Sequence, residues 1–337
     1  MAKILLTGAA GFIGSHVFRR MAEIHEVIAI DNLTAFSNQD IKLKRIANLT
    51  GHKPADGNFN KIETGNFVFS KLDILDEAAL DKLFSDSHFD LVIHLAAMTG
   101  IRQSVEHPDI YEKVNVRGFY NILESCKKHG VKRLLFASSS SVYGACQDVP
   151  FTEQSNTDTP LNLYAATKKM NELMAYSYAT LHHIHCIGLR FFTVYGPWTR
   201  PDMATYTFIE SILNGRAIKL FNSGNMERDF TYVDDVVESI DKITLKMIQE
   251  HVDSIPAFRI FNIGEGKPIN LKNYLAIIES LLGKSAIIEN HPLQKGEMIR
   301  TYADCSSLFA YTGFKPRIWV NEGLAETINW FNSGQRT

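Results

Sequence analysis

Long apolar runs are missing from this chain. No segment approaches the ~18 uninterrupted apolar residues that a membrane-spanning helix requires, and glycines interrupt the apolar residues between Met1 and Gly14 too early for the core of a signal peptide. Charge of one sign is missing too: 35 Lys+Arg stand against 37 Asp+Glu, a formal balance of −2, and no Lys/Arg run exceeds a few residues. The electrostatic footprint of a nucleic-acid or anionic-membrane binder is therefore absent. Cysteine is sparse. Cys126, Cys146, Cys186 and Cys305 lie 20, 40 and 119 residues apart, which matches no short zinc or redox pair. They read as free thiols of a reducing compartment, so a cytoplasmic protein with no metal site is expected. Internal repeats and low-complexity tracts are also lacking, and the partner left by these exclusions is a small molecule.

What is present is an ordinary globular composition of 337 residues, 45% hydrophobic and 21% charged. That length accommodates one large core with an appended lobe, or two domains. Short β-branched runs alternate with amphipathic helical stretches over the first 190 or so residues, which predicts βαβ units and a doubly wound parallel sheet of Rossmann type. The expected strands are Lys3 to Thr7, Val27 to Ile30, Phe67 to Ser70, Leu91 to Leu95, Arg133 to Ala137 and Cys186 to Phe191. Ile13, Val17 and Met21 recur at four-residue steps and belong to one helix face. The polar stretch from Ser37 to Gly65 predicts a helix over Asp40 to Leu49 and then a loop. Beyond Gly196 the alternation weakens and turn residues multiply. The expected division is a dinucleotide-binding domain over 1–196 and a smaller α/β substrate lobe over 197–337, with a segment near 231–263 returning to the main domain.

Chemistry concentrates at strand ends. Lys3 to Thr7 runs into Gly8, Gly11, Phe12, Ile13 and Gly14, a strand, a glycine turn and a helix start. Such a turn lets backbone approach a pyrophosphate and sets the phosphates at a helix N-terminus. The spacing is GxxGxxG rather than GxGxxG. Asp31 ends the second strand 23 residues after Gly8, close to the place of a carboxylate that holds an adenosine ribose diol; a simple turn cap is its bland alternative. A carboxylate there repels a 2′-phosphate, and no arginine follows it directly, so NAD is expected rather than NADP. Asn32 adjoins it. Asp73 with Ile74, and Leu95, Ala96 and Ala97, occupy further strand ends along the same edge. Tyr164 and Lys168 share a helix face at i, i+4, placing an ammonium beside a phenol whose ordinary pKa near ~10 makes it a poor base. Upstream, Ser139, Ser140 and Ser141 put hydroxyls after the fifth of these strands, where ligands bind in open α/β sheets.

Taken together, the glycine turn, Asp31, the serine run and Tyr164/Lys168 resemble the extended short-chain dehydrogenase/reductase family, in particular its nucleotide-sugar epimerases and dehydratases. The likeness covers almost the whole chain. It implies Ser139, Tyr164 and Lys168 as the catalytic set around a tightly held NAD, regenerated at each turnover. Dehydratases of the family carry an Asp-Glu pair before Val-Tyr-Gly and decarboxylases a Glu; Ser140 and Ser141 stand there instead, leaving no acid/base group for elimination. The run Thr193 to Met203, containing Arg200, is similar to the UDP-glucuronate 4-epimerase branch, as is the segment from Ile218 to Asp235. The resemblance implies Phe221 near the uracil, Arg228 on the phosphates, Arg200 on the diphosphate side, and hydroxyls of Ser140, Ser141 and Thr193 on the sugar carboxylate. It also places Met203 at the substrate. Arg102 is either a further substrate contact or a solvated surface residue. The chain departs from many relatives at Thr199 before Arg200 and at Gln294 two residues before Gly296, which removes one possible phosphate contact, while Thr301 is a small residue at the gate of the sugar pocket. The implied activity is reversible C4 epimerisation of UDP-glucuronate to UDP-galacturonate. A UDP-hexose or UDP-N-acetylhexosamine epimerase, a decarboxylase and an idle NAD-binding protein are the competing readings. Relatives pair through helices corresponding to Asp109 to His129 and Tyr164 to Leu181. Tyr111, Val114, Phe119, Ile122, Met170, Leu173 and Met174 suit either such a homodimer or the core.

Overall fold

Strands buried on both faces read as continuous apolar runs, and those at the centre of this chain feed two separate clusters by strict alternation. Ile4, Leu6, Val27, Ala29, Leu91, Ile93 and Leu135 point to one side; Leu5, Ile28, Ile30, Val92, Leu134 and Phe136 point to the other. The computed structural model describes residues 1–34, 39–52, 60–251, 257–294 and 296–334. Its strands are β1 (Lys3–Thr7), β2 (Glu26–Asp31), β3 (Lys61–Thr64), β4 (Phe67–Lys71), β5 (Leu91–His94), β6 (Arg133–Ser139), β7 (His185–Phe191), β8 (Thr193–Tyr195), β9 (Ala217–Phe221), β10 (Glu227–Tyr232), β11 (Phe258–Ile263), β12 (Pro268–Asn270) and β13 (Ile287–His291).

The main sheet has the order β11-β7-β6-β5-β1-β2-β4-β3. All neighbours are parallel except β3, which runs antiparallel to β4. The helix Phe12–Ala22 buries Val17, Phe18 and Met21 against one face, beside Val236, Ile240 and Ile243 of the helix Val233–Gln249. The helices Glu77–Asp86, Phe119–Lys128 and Leu163–His182 cover the other face with Leu80, Phe84, Ile122, Ala175 and Ala179. The strand order reverses direction at β1, whose neighbours are β2 and β5, and a crevice opens there at the carboxyl ends. Beside the main sheet lie a three-stranded sheet, β12-β10-β8, and a two-stranded sheet, β13-β9. Among the described residues no helix is long and apolar enough to cross a membrane.

One sequence expectation is corrected. The stretch from Ser37 to Gly65 was expected to end in a loop after its helix. The helix is present at Gln39–Thr50, but the residues that follow include β3, joined to β4 by the two-residue turn Gly65-Asn66, with Gly65 at φ +54. Gly-Asn between two short runs is a hairpin signal. It was masked because β3 buries only Ile62, leaving no alternation to read. Residues 37–38 and 53–59 of that stretch lie outside the described residues.

The helix Leu163–His182 starts at an Asn162 cap, whose side-chain oxygen accepts from the Ala165 N–H at 2.9 Å. Tyr164, Lys168 and Glu172 follow at four-residue steps and share the face turned to the sheet. Glu172 is buried, and Arg190 of β7 donates to it bidentately, Nε to Oε1 at 2.9 Å and Nη2 to Oε2 at 2.8 Å. Ser138 also donates to Glu172 Oε1 at 2.6 Å, and Arg190 reaches the Tyr143 hydroxyl at 3.1 Å. One ion pair thus ties the helix to β6, β7 and the turn after Ser139. Removing one partner of such a pair leaves an unpaired buried charge, so Glu172→Met and Arg190→Met should each cost about 3–5 kcal/mol. The double replacement should cost less than the sum of the two, as urea denaturation of the four proteins in a mutant cycle will read.

Candidate active site

The first turn has no room for side chains. Gly8 sits at φ +72, and a Cβ there would lie 2.6 Å from the Ala96 N and 2.8 Å from the Leu95 carbonyl carbon; one at Gly11 would lie 2.9 Å from the Gly8 carbonyl oxygen. A Cβ at Gly14 would strike the same carbonyl. The turn therefore packs backbone against backbone, and Phe12 and Ile13 begin the helix that follows it, the arrangement that suits a pyrophosphate. Thr7 holds the two strand ends together, its Oγ1 2.8 Å from His94 Nδ1 and accepting from the Ala96 N–H at 3.2 Å. Leu95, Ala96 and Ala97 continue from β5 along the floor.

Asp31 is buried and engaged. Its Oδ2 accepts from the Ala10 N–H at 3.1 Å, and its Oδ1 accepts from the Leu33 N–H at 2.9 Å and from Lys42 Nζ at 3.0 Å. A carboxylate offers about four acceptor sites, so among the described residues one remains for a ribose hydroxyl, with the Lys42 ammonium beside it as a donor. Asn32 donates to Asp73 Oδ2 at 2.9 Å, the Asp73 Oδ1 accepts from the Leu75 N–H, and the carbonyl of buried Ile74 accepts from Asn121. The donor set, the bare turn and the free acceptor on Asp31 all fit a dinucleotide.

At the other end of the crevice, β6 delivers Ser139 directly into a short helical turn over Ser140–Tyr143. Ser139 Oγ accepts from the Ser141 N–H at 3.2 Å and from the Ser141 hydroxyl at 2.9 Å. Its own proton is thereby turned toward Tyr164, with whose phenol it forms a hydrogen bond. Burial pushes that phenol above its ordinary range, opposed by the Ser139 hydrogen bond and by the positive charge of Arg200. Lys168, buried, donates to the Ala137 carbonyl at 2.9 Å, and burial lowers its pKa to about 7. Within the protein, the positive charge of Arg200 favours the phenolate.

Arg200 and Arg102 part company. The Arg200 guanidinium hydrogen-bonds the Thr99 hydroxyl and pairs with Asp202, with Nε 2.9 Å from Oδ1, and its charge acts on Tyr164 and Tyr111. It lies at the catalytic end. Arg102 has a side chain 75% exposed and pairs with Glu106 one helical turn on, at 2.9 Å, which is the surface alternative. Thr193 opens β8, and Met203 precedes the helix Ala204–Leu213. Phe221 closes β9 with its ring 5.6 Å from that of His291. Arg228 of β10 donates to the Ile299 carbonyl at 3.1 Å and faces Glu297 at 3.5 Å. Asp229 beside it accepts from the N–H groups of Glu265, Gly266 and Ala303, and its own N–H meets the Thr301 hydroxyl at 3.4 Å. Ala303 packs with Tyr143 and Phe192, which joins this wall to the serine turn.

Residues 4–264 match the model of the NAD dependent epimerase/dehydratase family. The chain belongs to that family. The UDP-glucuronate 4-epimerase of Thermodesulfobacterium geofontis is 38% identical over 332 residues, which cover 98% of this chain and 96% of that one. The crystal structure of UDP-glucuronic acid 4-epimerase from Bacillus cereus, in complex with UDP-glucuronic acid and NAD, matches with a TM-score of 0.87 and 30% identity over 98% of this chain and 99% of that one. UDP-glucose 4-epimerase from Thermotoga maritima, with UDP-glucose, matches at a TM-score of 0.83 and 28% identity over the same shares.

Within this epimerase/dehydratase frame, several working residues escaped the sequence reading. Asn115 lies on a π-helical stretch, Glu112–Gly118, a feature frequent at functional sites. It grips the main chain of Met98 from both sides, at 2.7 and 3.0 Å, and donates to Thr167 of the catalytic helix. Lys42 and Arg45 enter the dinucleotide end from the helix Gln39–Thr50, which otherwise looks like a solvated surface helix. Polar residues at positions that the helical period assigns to the buried face were the available signal. Arg200 lowers the Tyr164 phenol, so Arg200→Met raises it. In a kcat/KM profile the acid limb, which reports phenolate formation, should move to higher pH, and an unmoved limb would remove Arg200 from that role.

Proposed function

We propose that this chain is a UDP-glucuronate 4-epimerase, interconverting UDP-glucuronate and UDP-galacturonate through a 4-keto sugar. The observation that carries the reading is the Ser141–Ser139–Tyr164 hydrogen-bonded chain with Arg200 beside it and no carboxylic acid in the serine run. The Tyr164 phenolate takes the proton of the C4 hydroxyl as the C4–H bond breaks, and the electron pair of the O–H bond forms the ketone. A bound NAD would supply the hydride acceptor and donor for C4. Ser139 donates to the oxygen that carries negative charge, and Tyr164 returns the proton when hydride is restored to the opposite face of the sugar. Lys168, and Asp31 with Lys42, would hold the two ribose diols of the dinucleotide. Hydroxyls of Ser140, Ser141 and Thr193 suit the sugar carboxylate, which must be hydrogen-bonded in a dry cleft. Arg228 suits the diphosphate and Phe221 the uracil, with Glu297 ready to give up Arg228 to a phosphate.

The helix Leu163–His182 presents a second face, opposite its catalytic one. Met170, Leu173, Tyr176 and Leu181 lie along it, with Leu173 58% and Leu181 69% exposed. Tyr111, Phe119 and Ile122, which the sequence left open between core and interface, are buried in the chain itself. An exposed apolar stripe of this size supports pairing with a second copy.

Two measurements test these readings. Proton NMR of the purified protein with UDP-glucuronate, without added NAD, should show a UDP-galacturonate anomeric signal rising to a stable mixture. Tyr164→Phe should slow that rise roughly 10²- to 10⁴-fold. A UDP-xylose-type product, or silence even with NAD added, would overturn the assignment. Light scattering should give twice the chain mass of 38.0 kDa for the wild type and a monomer for Leu173→Glu; a wild-type monomer ends the pairing reading.

A further inference from the structure

Arg45 is 3% exposed, and neither of its hydrogen-bonding groups meets a carboxylate. Its Nη1 donates to the Ala10 carbonyl at 2.9 Å and its Nη2 to the Trp198 carbonyl at 2.6 Å, while its Nε has no partner among the described residues. Ala10 is the middle of the glycine turn. Its N–H is held by Asp31 and its carbonyl by Arg45, so the two peptide groups that flank one residue of the turn are both held. Lys42, three residues earlier on the same helix, engages that Asp31. The far end of the fork is as specific. Trp198 is a non-glycine residue at φ +64, a backbone conformation that costs energy unless its surroundings hold it. It packs against Trp330 at 5.4 Å and stands two residues before Arg200.

We propose that Arg45 is a positioning residue that links the dinucleotide to the sugar site: one guanidinium holds the glycine turn and the strained turn carrying Arg200 at a fixed spacing. A planar fork is what two carbonyls on separate segments require, and a lysine ammonium does not reproduce it. The cost of burying this cation is set by its surroundings. The neighbouring charges are Asp31, which favours it, and Arg200, which opposes it, and burial lowers its pKa to about 9. A pyrophosphate at the turn adds negative charge on the Arg45 side, and a UDP diphosphate with its uronate adds it on the Arg200 side. Each anion therefore favours the arrangement that the other needs, and by linkage each should slow the loss of the other.

The inference rests on the glycine turn being the dinucleotide site, so its test reads NAD release from the holoenzyme, not turnover. NAD remaining on the protein after dilution and gel filtration is followed with and without saturating UDP. In the wild type UDP should slow release at least about 5-fold, the low end of ordinary coupling. Arg45→Met should release NAD about 10-fold faster or more, with the UDP effect gone. Arg45→Lys, which keeps the charge and is the folded control should the methionine variant not fold, should also lose the UDP effect. Wild-type release indifferent to UDP, or a UDP effect that survives in Arg45→Lys, overturns the proposal. Failure of UDP-glucuronate turnover with the UDP effect intact would instead count against the sugar assignment alone.

Discussion

The near-contact between the ends of β1 and β5 governs everything built on this sheet. At Gly8 the backbone comes so close to Leu95 and Ala96 that no side chain can stand between them. That closeness exists because the sheet order reverses direction at β1, so the connections on its two sides leave in opposite directions and a crevice opens above. The helix after Gly11 aims its N-terminus into the crevice, Asp31 closes one flank, and β6 carries Ser139 to the other. Relaxing the approach would displace the glycine turn from Thr7 and His94, and with it the reference against which every other group is placed.

A second constraint is electrostatic. The crevice gathers buried or half-buried cations, Lys42, Arg45, Lys168, Arg200 and Arg228, and gives only some of them a protein anion: Asp31 for Lys42, Asp202 for Arg200, Glu297 for Arg228. Arg190 is different. It is matched bidentately by Glu172 and braces the scaffold. A positive, water-poor site costs stability in the protein and is favoured by anionic ligands, which is the sense expected of a site for two diphosphates. Arg45, Arg190 and Arg200 each bridge separate segments of the chain, and a planar fork does this with less freedom to lose than an ammonium.

Much of this could be read from the residues. The parallel core, the glycine turn and the Tyr164/Lys168 pair follow from β-branched runs, from Gly8, Gly11 and Gly14, and from i, i+4 spacing, all local patterns, whereas the grouping of Ser139 with that pair came from the family resemblance. What escaped depends on distance along the chain. Arg45 meets Trp198 across 153 residues and Glu172 meets Ser138 across 34, and no local pattern announces either. β3 escaped for another reason, since an edge strand with one buried residue has no period to detect. Arg102 was open between a ligand contact and a surface residue, and its i, i+4 pairing with Glu106 favours the surface.

The phenol chemistry follows from the same burial. A reversible inversion asks one group to take a proton from either epimer and to give it back, so a strong base would serve one direction at the expense of the other. Burial lifts Tyr164 toward holding its proton, and Ser139 and Arg200 pull the other way. The balance is set by a hydrogen bond and a charge rather than by solvent. Because Ser141 occupies the acceptor side of Ser139 twice, the serine proton has one direction left, toward the oxygen that becomes negative. Placing an acidic side chain at 140 or 141 would add a second proton-exchanging group beside Ser139. The three hydroxyls in a row are thus the feature that limits this site to proton exchange at a single oxygen.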